Sequence, residues 1–255
     1  MNRTTTHRTV HPTGRPASRH VLALTATTLL LVGATACADD TTTEPSVVTG
    51  SPPTSVSTDT PTDSTTGTTT ATVDDSDVDE FPLTDDEVAG LLWMREEEQL
   101  AHDVYVVLGD MWELRIFENI AASETSHIEA VSALLDRYGI DDPAEGNQPG
   151  TYTDPAIQAL YDQLVADGSG SLDAALAVGA LIEELDISDL QTRTAATQTS
   201  EIITVYANLE RGSRNHLRAF VSELDSRGVV YEPTQLDPAA FDAIVSSEIE
   251  RGPDS

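Results

Sequence analysis

Lysine is absent from the sequence: all 13 basic residues of the 255-residue chain are arginine, against 44 aspartate and glutamate residues. The formal net charge is −31, and a surface this acidic repels nucleic acid and anionic lipid headgroups. The acids begin only at Asp39, whereas four arginines precede the apolar run that starts at Val21. Removal of the N-terminal segment that ends with this apolar run leaves 9 arginines against 44 acids, a net charge of −35. We therefore expect no nucleic-acid partner, and a weak, non-specific attraction of divalent cations over the surface.

Cysteine is nearly absent too, and the single one, Cys37, excludes an intrachain disulfide. A basic region up to Arg19, an apolar run over Val21–Val32 and small residues over Gly33–Ala36 precede it, an order typical of an export signal. The apolar run is too short to span a bilayer permanently. This region resembles a bacterial lipobox. We predict a signal peptide over residues 1–37 and an exported protein, held on the outer side of the cell membrane by a lipid on Cys37; the alternative is cleavage after Ala-Thr-Ala and secretion.

Large apolar residues are scarce over the next stretch, residues 38–80, which consists mostly of Thr, Ser, Pro and Asp. Such a composition buries too little apolar surface to offset the entropy of ordering the chain. We predict a disordered linker here, which tethers a folded domain over residues 81–252.

Within residues 81–252, apolar residues recur at three- and four-residue steps, and no strand alternation is visible. Thr84 and Glu87 form a capping box that starts the first helix. The predicted fold is therefore all-α, a bundle of four long helices with short accessory helices. The long helices are predicted over Thr84–Leu108, Leu114–Tyr138, Leu172–Gln191 and Glu201–Arg227, and the short ones over Pro155–Ala166 and Asp237–Gly252.

Each long helix carries a potential metal ligand on the side that faces the other helices, which is how bundles build metal sites. Glu98 lies on the first helix, Glu183 on the third and His216 on the fourth. Glu124 and His127 on the second stand three residues apart, so both can reach one ion. Burying an ionised carboxylate without a partner costs several kcal/mol. With no lysine and few arginines nearby, a divalent metal ion is the expected neutraliser of these carboxylates.

These features resemble the ferritin-like superfamily, including rubrerythrin-type domains: Glu98 is followed by Tyr105, and the second helix carries Glu-Thr-Ser-His over Glu124–His127. The resemblance is closer to the bacterial and archaeal ferritin-like family catalogued as domain of unknown function 2202. It covers about Leu83–Tyr231 and implies a ferritin-like four-helix bundle, but no settled activity. Three segments carry it, over Glu96–Tyr105, Gly179–Ile187 and Arg211–Phe220.

The superfamily pattern implies that Glu98 and Glu183 are ligands on their helices, that Glu124 bridges, and that His127 is its partner. The fourth helix departs from this pattern because Ser213 stands three residues before His216, where a second Glu-x-x-His would have its glutamate. A symmetric di-iron centre is therefore not predicted. On the third long helix the ligand role stays open among three acids, Glu183, Glu184 and Asp186.

Two functional hypotheses follow. In the first, the protein binds iron or manganese in the bundle core, where open coordination positions beside carboxylates suit an oxidoreductase that reacts with oxygen or peroxide. In the second, it is a non-enzymatic envelope lipoprotein in which the same side chains form a buried polar network without metal. The sequence indicates no particular protein partner.

Overall fold

The computed structural model describes residues 20–22 and 82–252. Cys37 and the predicted linker over residues 38–80 lie outside these residues, and so does the predicted signal peptide apart from residues 20–22. Regular structure in the described part is almost entirely helical, which confirms the prediction of an all-α fold. None of the helices described is both long and apolar enough to cross a membrane.

Six helices lie within residues 82–252: α1 (Asp85–Trp112), α2 (Arg115–Tyr138), α3 (Pro155–Gly168), α4 (Leu172–Ala196), α5 (Ser200–Ser226) and α6 (Pro238–Val245). Two short strands, β1 (His20–Leu22) and β2 (Val229–Tyr231), pair in parallel with Val21 opposite Val230. Sequence analysis missed these strands because three residues are too few to show an alternating pattern.

The four long helices form two hairpins. Two residues join α1 to α2 and three join α4 to α5, so the helices of each hairpin run antiparallel. The first hairpin turns at Glu113, which has a φ of 52° and donates its N–H to the carbonyl of Gly109. α2 ends, as predicted, at Tyr138, and Gly139 follows it with a φ of 65°, which suits glycine.

The hairpins pack with α1 against α4 and α2 against α5. The start of α1 lies beside the end of α4, where Arg193 packs over the ring of Trp93. Further along α1, the Tyr105 hydroxyl oxygen lies 3.4 Å from the carbonyl oxygen of Gly179 in the first half of α4. α2 and α5 are likewise antiparallel, and Tyr138 at the end of α2 bonds to the start of α5. The order is up-down-down-up, with one long crossover through α3 between α2 and α4.

The helix starts agree with the predictions better than the helix ends do. Thr84 and Glu87 form the predicted capping box, with a 3.2 Å bond from the Glu87 N–H to Thr84 Oγ1 and a 2.9 Å bond in return. α1 continues past Leu108 to Trp112, whose indole N–H donates to the carbonyl of Gly168 at 3.1 Å. Tertiary contacts of this kind extend a helix beyond the point where its own sequence pattern fades.

The last helix is shorter than predicted, because α6 ends at Val245 and not near Gly252. The segment that follows lies along α5, where Glu250 accepts hydrogen bonds of 2.6–2.8 Å from Arg214 and Arg218. These ion pairs fix the segment without helical backbone bonds.

The apolar core has two clusters along the bundle. One lies at the end where α1 begins and includes Met94 and Leu190, and the larger one includes Phe117 and Phe220. Between the two clusters each long helix places buried polar side chains. We call this set the polar layer, and its members are Glu98, Glu124, His127, Glu183, Asp186, Ser213 and His216.

Candidate metal centre

The polar layer brings together all five residues that the sequence predicted as metal ligands. Each of them is at most 9% exposed, and the three glutamates are only 1–2% exposed. They form two groups of three, and in each group three ligand atoms lie within 4.8 Å of one another. The groups share one residue, Glu124, and their members are Glu98, Glu124 and His127, and Glu124, Glu183 and His216.

The first group joins α1 to α2. His127 Nδ1 lies 2.7 Å from Glu124 Oε2 on its own helix and 3.2 Å from Glu98 Oε2 on α1. The three-residue step between Glu124 and His127 places both on one face of α2, as the sequence predicted.

The second group joins α2 to α4 and α5. His216 Nδ1 lies 2.9 Å from Glu124 Oε1 and 3.5 Å from Glu183 Oε2. The two oxygens of Glu124 therefore face different histidines, one in each group. The imidazole rings of His127 and His216 are stacked with centroids 5.6 Å apart. A carboxylate with one oxygen directed to each side has the position of a bridging ligand between two ions.

Several buried atoms of the polar layer have no hydrogen-bond partner within the part of the chain that the structure describes. They are Glu98 Oε1, Glu124 Oε1, Asp186 Oδ1 and His216 Nδ1. The 2.9 Å approach of His216 Nδ1 to Glu124 Oε1 is thus a close contact that lacks hydrogen-bond alignment. Buried acceptors are costly when unpaired, by about 1–3 kcal/mol each. Carboxylate oxygens that are buried without an aligned hydrogen-bond donor suit a cation.

The acids and histidines of the layer perturb one another. Burial raises the pKa of Glu98 to about 7 despite the nearby His127, and burial also raises the pKa of Glu183. Burial disfavours the charge on Glu124, but His127 and His216 outweigh it and hold the pKa of Glu124 well below its usual range. Burial likewise disfavours the charge on His216, yet Glu183 and Glu124 raise its pKa to about 10. Protons therefore balance the negative charge when no metal is bound.

Neighbouring side chains orient the ligands. The hydroxyl of Tyr105, a fully buried core residue, donates a 2.5 Å hydrogen bond to Glu183 Oε1. Ser123 Oγ lies 3.0 Å from His216 Nε2 and leaves Nδ1 facing the carboxylates. Sequence analysis missed Ser123, because a serine beside Glu124 on a helix shows no pattern of its own.

A glycine on α5 makes room for the first histidine. A Cβ atom at Gly212 would lie 2.4 Å from His127 Nε2, closer than van der Waals contact allows. The backbone of α5 therefore passes directly against the His127 ring. The sequence alone does not predict this close approach, because it depends on the packing of α2 against α5.

The structure separates the three acids of α4. Glu183 faces the layer, whereas Glu184 accepts hydrogen bonds of 2.7–3.0 Å from the backbone N–H groups of residues 234–236 and holds that loop. Asp186 faces the layer and accepts a hydrogen bond from Ser213. His102, the remaining histidine of the helical domain, lies 2.9 Å from Asp103 and is not part of either group.

Carboxylate oxygens and imidazole nitrogens are the ligand types that iron and manganese accept in proteins. The residues present therefore fit such an ion by ligand type, burial and convergence. Each group offers three ligand atoms, fewer than an octahedral ion uses, so an ion held there keeps open positions for a small molecule.

Comparison with known proteins places the chain in a family. The family model described as "Uncharacterized protein domain (DUF2202)" matches residues 87–248, well over half of the chain. The chain is also similar to the uncharacterized protein MJ0754 of Methanocaldococcus jannaschii, with 46% identity over 171 residues, which cover 67% of this chain and 92% of that protein.

A solved structure agrees with this result. The crystal structure of hypothetical protein MJ0754 from Methanococcus jannaschii matches with a TM-score of 0.66 and 44% identity, over 69% of this chain and 100% of that one. The polar layer, residues 98–216, lies wholly inside the matched family region. The chain therefore belongs to the DUF2202 family, as its sequence motifs predicted.

Proposed function

We propose that this protein is an exported ferritin-like metal protein that binds iron or manganese through Glu98, Glu124, His127, Glu183 and His216. The observation that carries the proposal is the pair of three-residue groups that meet at Glu124, with buried acceptor atoms that no donor in the described residues satisfies. An ion in each group would neutralise carboxylates that are otherwise costly to bury.

The topology supports the ferritin-like assignment. Ferritin-like folds are four-helix bundles with a single long crossover, and their metal ligands project inward from all four helices. The crossover through α3 between α2 and α4 has this form, and the polar layer receives side chains from α1, α2, α4 and α5.

Oxidoreductase chemistry is the activity that such a centre supports best. A redox-active ion with open positions can bind oxygen or peroxide. The chain's own contribution is to exclude bulk water, hold the histidines with Nδ1 toward the carboxylates, and fix Glu183 through Tyr105.

The second candidate is a metal-free polar network, in keeping with a non-enzymatic envelope lipoprotein. The hydrogen bonds from Tyr105 to Glu183 and between His127 and Glu98 favour it. The buried atoms without partners count against it, because a network specifies a core only when every member is satisfied.

The most direct binding test is anaerobic loading with iron(II) or manganese(II). We expect wild-type protein to retain metal through desalting and the Glu124→Ala, His127→Ala double variant to retain at least tenfold less, because the shared carboxylate and one imidazole are gone. Metal content is measured by mass spectrometry of the protein fraction.

Non-specific binding to an acidic surface needs its own control. Glu129→Gln removes an exposed acid from α2, the helix that carries Glu124 and His127, and should leave metal retention unchanged. Equal retention by wild type and the double variant would contradict the proposed site and favour the metal-free network.

The pH dependence of stability gives a second test. In the metal-free protein Glu98 and His216, with pKa values raised to about 7 and about 10, hold protons that the unfolded chain releases above about pH 4.5 and 6.5. Stability from both groups is therefore lost as the pH rises, and we expect the free energy of unfolding to fall by on the order of 6 kcal/mol between pH 5 and 9. Denaturant unfolding in the presence of a chelator measures this.

Two other acids with shifted pKa values do not change the stability between pH 5 and 9. Glu87 and Glu250 have pKa values lowered to about 2, so their contribution changes only below about pH 4.5. Glu98→Gln should flatten the slope between pH 5 and 7. Manganese should reverse the trend, because metal binding requires the ligands to release protons. Metal-free stability that rises from pH 5 to 9 would contradict the account.

Export and lipid anchoring through Cys37 are part of the same proposal, supported by the basic, apolar and small-residue order of residues 1–37. We expect the full chain, expressed in a bacterium with a lipoprotein pathway, to enter the membrane fraction and incorporate a labelled fatty acid. Cys37→Ala should abolish the label. Incorporation of label that persists in Cys37→Ala would refute the anchor, and a soluble, unlabelled, exported wild type would favour secretion.

A further inference from the structure

A pocket opens at the end of the bundle where α1 begins, among the first turns of α1 and α5 and the last turns of α4. Its volume is about 240 Å³. Drug-sized ligands occupy pockets of roughly 300–1,000 Å³, so this pocket fits a smaller molecule. Ala89, Ala196 and Ile202 give it apolar walls, and Arg193 and Tyr206 also line it. None of its lining residues belongs to the polar layer.

The hydroxyl of Tyr206 is a polar group in this pocket without a partner. Tyr206 is 2% exposed, and its hydroxyl makes no hydrogen bond within the part of the chain that the structure describes. Burial raises the pKa of Tyr206, so the hydroxyl keeps its proton and is available as a donor. Buried tyrosine hydroxyls usually find a partner, because an unpaired polar group is costly. An acceptor atom on a bound molecule would supply that partner.

The guanidinium of Arg193 is only partly engaged by the protein. It packs over the ring of Trp93, 5.3 Å from the ring centroid. Its ion pair with Asp189 has an N–O distance of 3.8 Å, which is too long for a hydrogen bond. Its Nε is buried without a hydrogen-bond partner among residues 20–22 and 82–252. An arginine has five N–H donors, so this side chain can still bind an anionic group.

The partly buried acid in the pocket wall, Glu87, bonds to other groups. Its Oε1 accepts hydrogen bonds from the hydroxyls of Thr197 and Thr199 at 2.5 and 2.8 Å. Its Oε2 accepts the N–H of Thr84 at 2.9 Å. Both oxygens of Glu87 are therefore engaged, and Glu87 does not supply the hydrogen-bond acceptor that Arg193 lacks.

Gly90 brings the tyrosine and the arginine to the border of one space. A Cβ atom at Gly90 would lie 3.5 Å from the Tyr206 hydroxyl oxygen and 3.6 Å from Arg193 Nη1. The absence of a side chain at Gly90 thus leaves room between two donors. A carboxylate suits such a place, because its two oxygens can accept from both donors and its bonds to a guanidinium are charge-assisted.

We propose that this pocket binds a small monocarboxylic acid, whose carboxylate accepts hydrogen bonds from Tyr206 and Arg193 above Gly90 and whose short tail lies against the apolar walls. The pocket selects a singly charged ligand, because Asp86 and Glu87 also line it and repel a dianion more strongly. This site does not depend on the metal centre, and either can exist without the other.

Titration of the full chain with propionate tests the inference, after metal has been removed by chelation and desalting. We expect saturable binding by calorimetry, with a dissociation constant in the millimolar range or tighter. The indole N–H resonance of Trp93 should shift, because Arg193 stacks on that ring, whereas the resonance of Trp112, the other of the two tryptophans, should not. Propionamide and inorganic phosphate should each bind roughly tenfold more weakly, because the first lacks the charge and the second carries too much.

Gly90→Ala is the most specific variant, because its methyl group occupies the proposed place of the carboxylate. It should abolish propionate binding and yet melt no lower than the wild type, since the new Cβ makes only ordinary contacts of 3.5–3.7 Å and alanine favours a helix more than glycine does. Tyr206→Phe removes only the unpaired hydroxyl. It should weaken binding roughly tenfold without lowering the melting temperature.

A matched pair of arginine variants tests the charge. Arg193→Gln should weaken propionate binding roughly tenfold or more, because the charge-assisted bond is lost. Arg137→Gln removes a base that pairs with Glu201 and does not line the pocket, and it should bind propionate as the wild type does.

Each outcome decides the proposal. Loss of binding in Gly90→Ala, with weaker binding in Tyr206→Phe and Arg193→Gln, supports it. A wild type that does not bind propionate, or a Gly90→Ala variant that binds it equally well, overturns the site. Equal binding of propionamide, or tighter binding of phosphate, overturns the monocarboxylate as its ligand. None of these results bears on metal retention by the polar layer.

Discussion

Burial of several carboxylates in one layer, in a protein without lysine, is the constraint on which the rest of the structure depends. Four acids and two histidines lie between two apolar clusters, where water cannot solvate them. Charge in such a place must be neutralised by protons or by a cation, because desolvation costs several kcal/mol per ion. Two imidazoles cannot balance four ionised carboxylates, and in the proposed centre a divalent metal would supply the remaining positive charge.

The surrounding fold fixes the geometry of that layer from all four helices. Gly212 allows α5 to approach the His127 ring, Ser123 orients His216, and Tyr105 holds Glu183.

Two nearby acids hold loops and do not face the polar layer. Glu184 accepts hydrogen bonds from the backbone of residues 234–236, and Glu96 accepts hydrogen bonds from the backbone N–H groups of residues 153–154. Acids one or two positions apart on a helix thus point either to the polar layer or to a loop.

Much of this arrangement could be predicted from the sequence, because helix periodicity and caps are local. The starts of the long helices agree with the structure to within a residue, and all five predicted ligands meet in one layer. The end of α4 was predicted five residues early, since Arg193 is held in helix by its contact with Trp93, which no local pattern reveals. The choice among Glu183, Glu184 and Asp186 depended on which neighbour each meets, and only the packed helices decide that.

The chain belongs to a family of helical proteins, and its geometry places one carboxylate, Glu124, between two histidines. We propose that this arrangement is an asymmetric metal centre. The most direct measurement of this claim is anomalous diffraction at the manganese edge from crystals grown with manganese(II). The account predicts two peaks in the polar layer, one on each side of Glu124. Peaks confined to surface acids, with none in the layer, would contradict it.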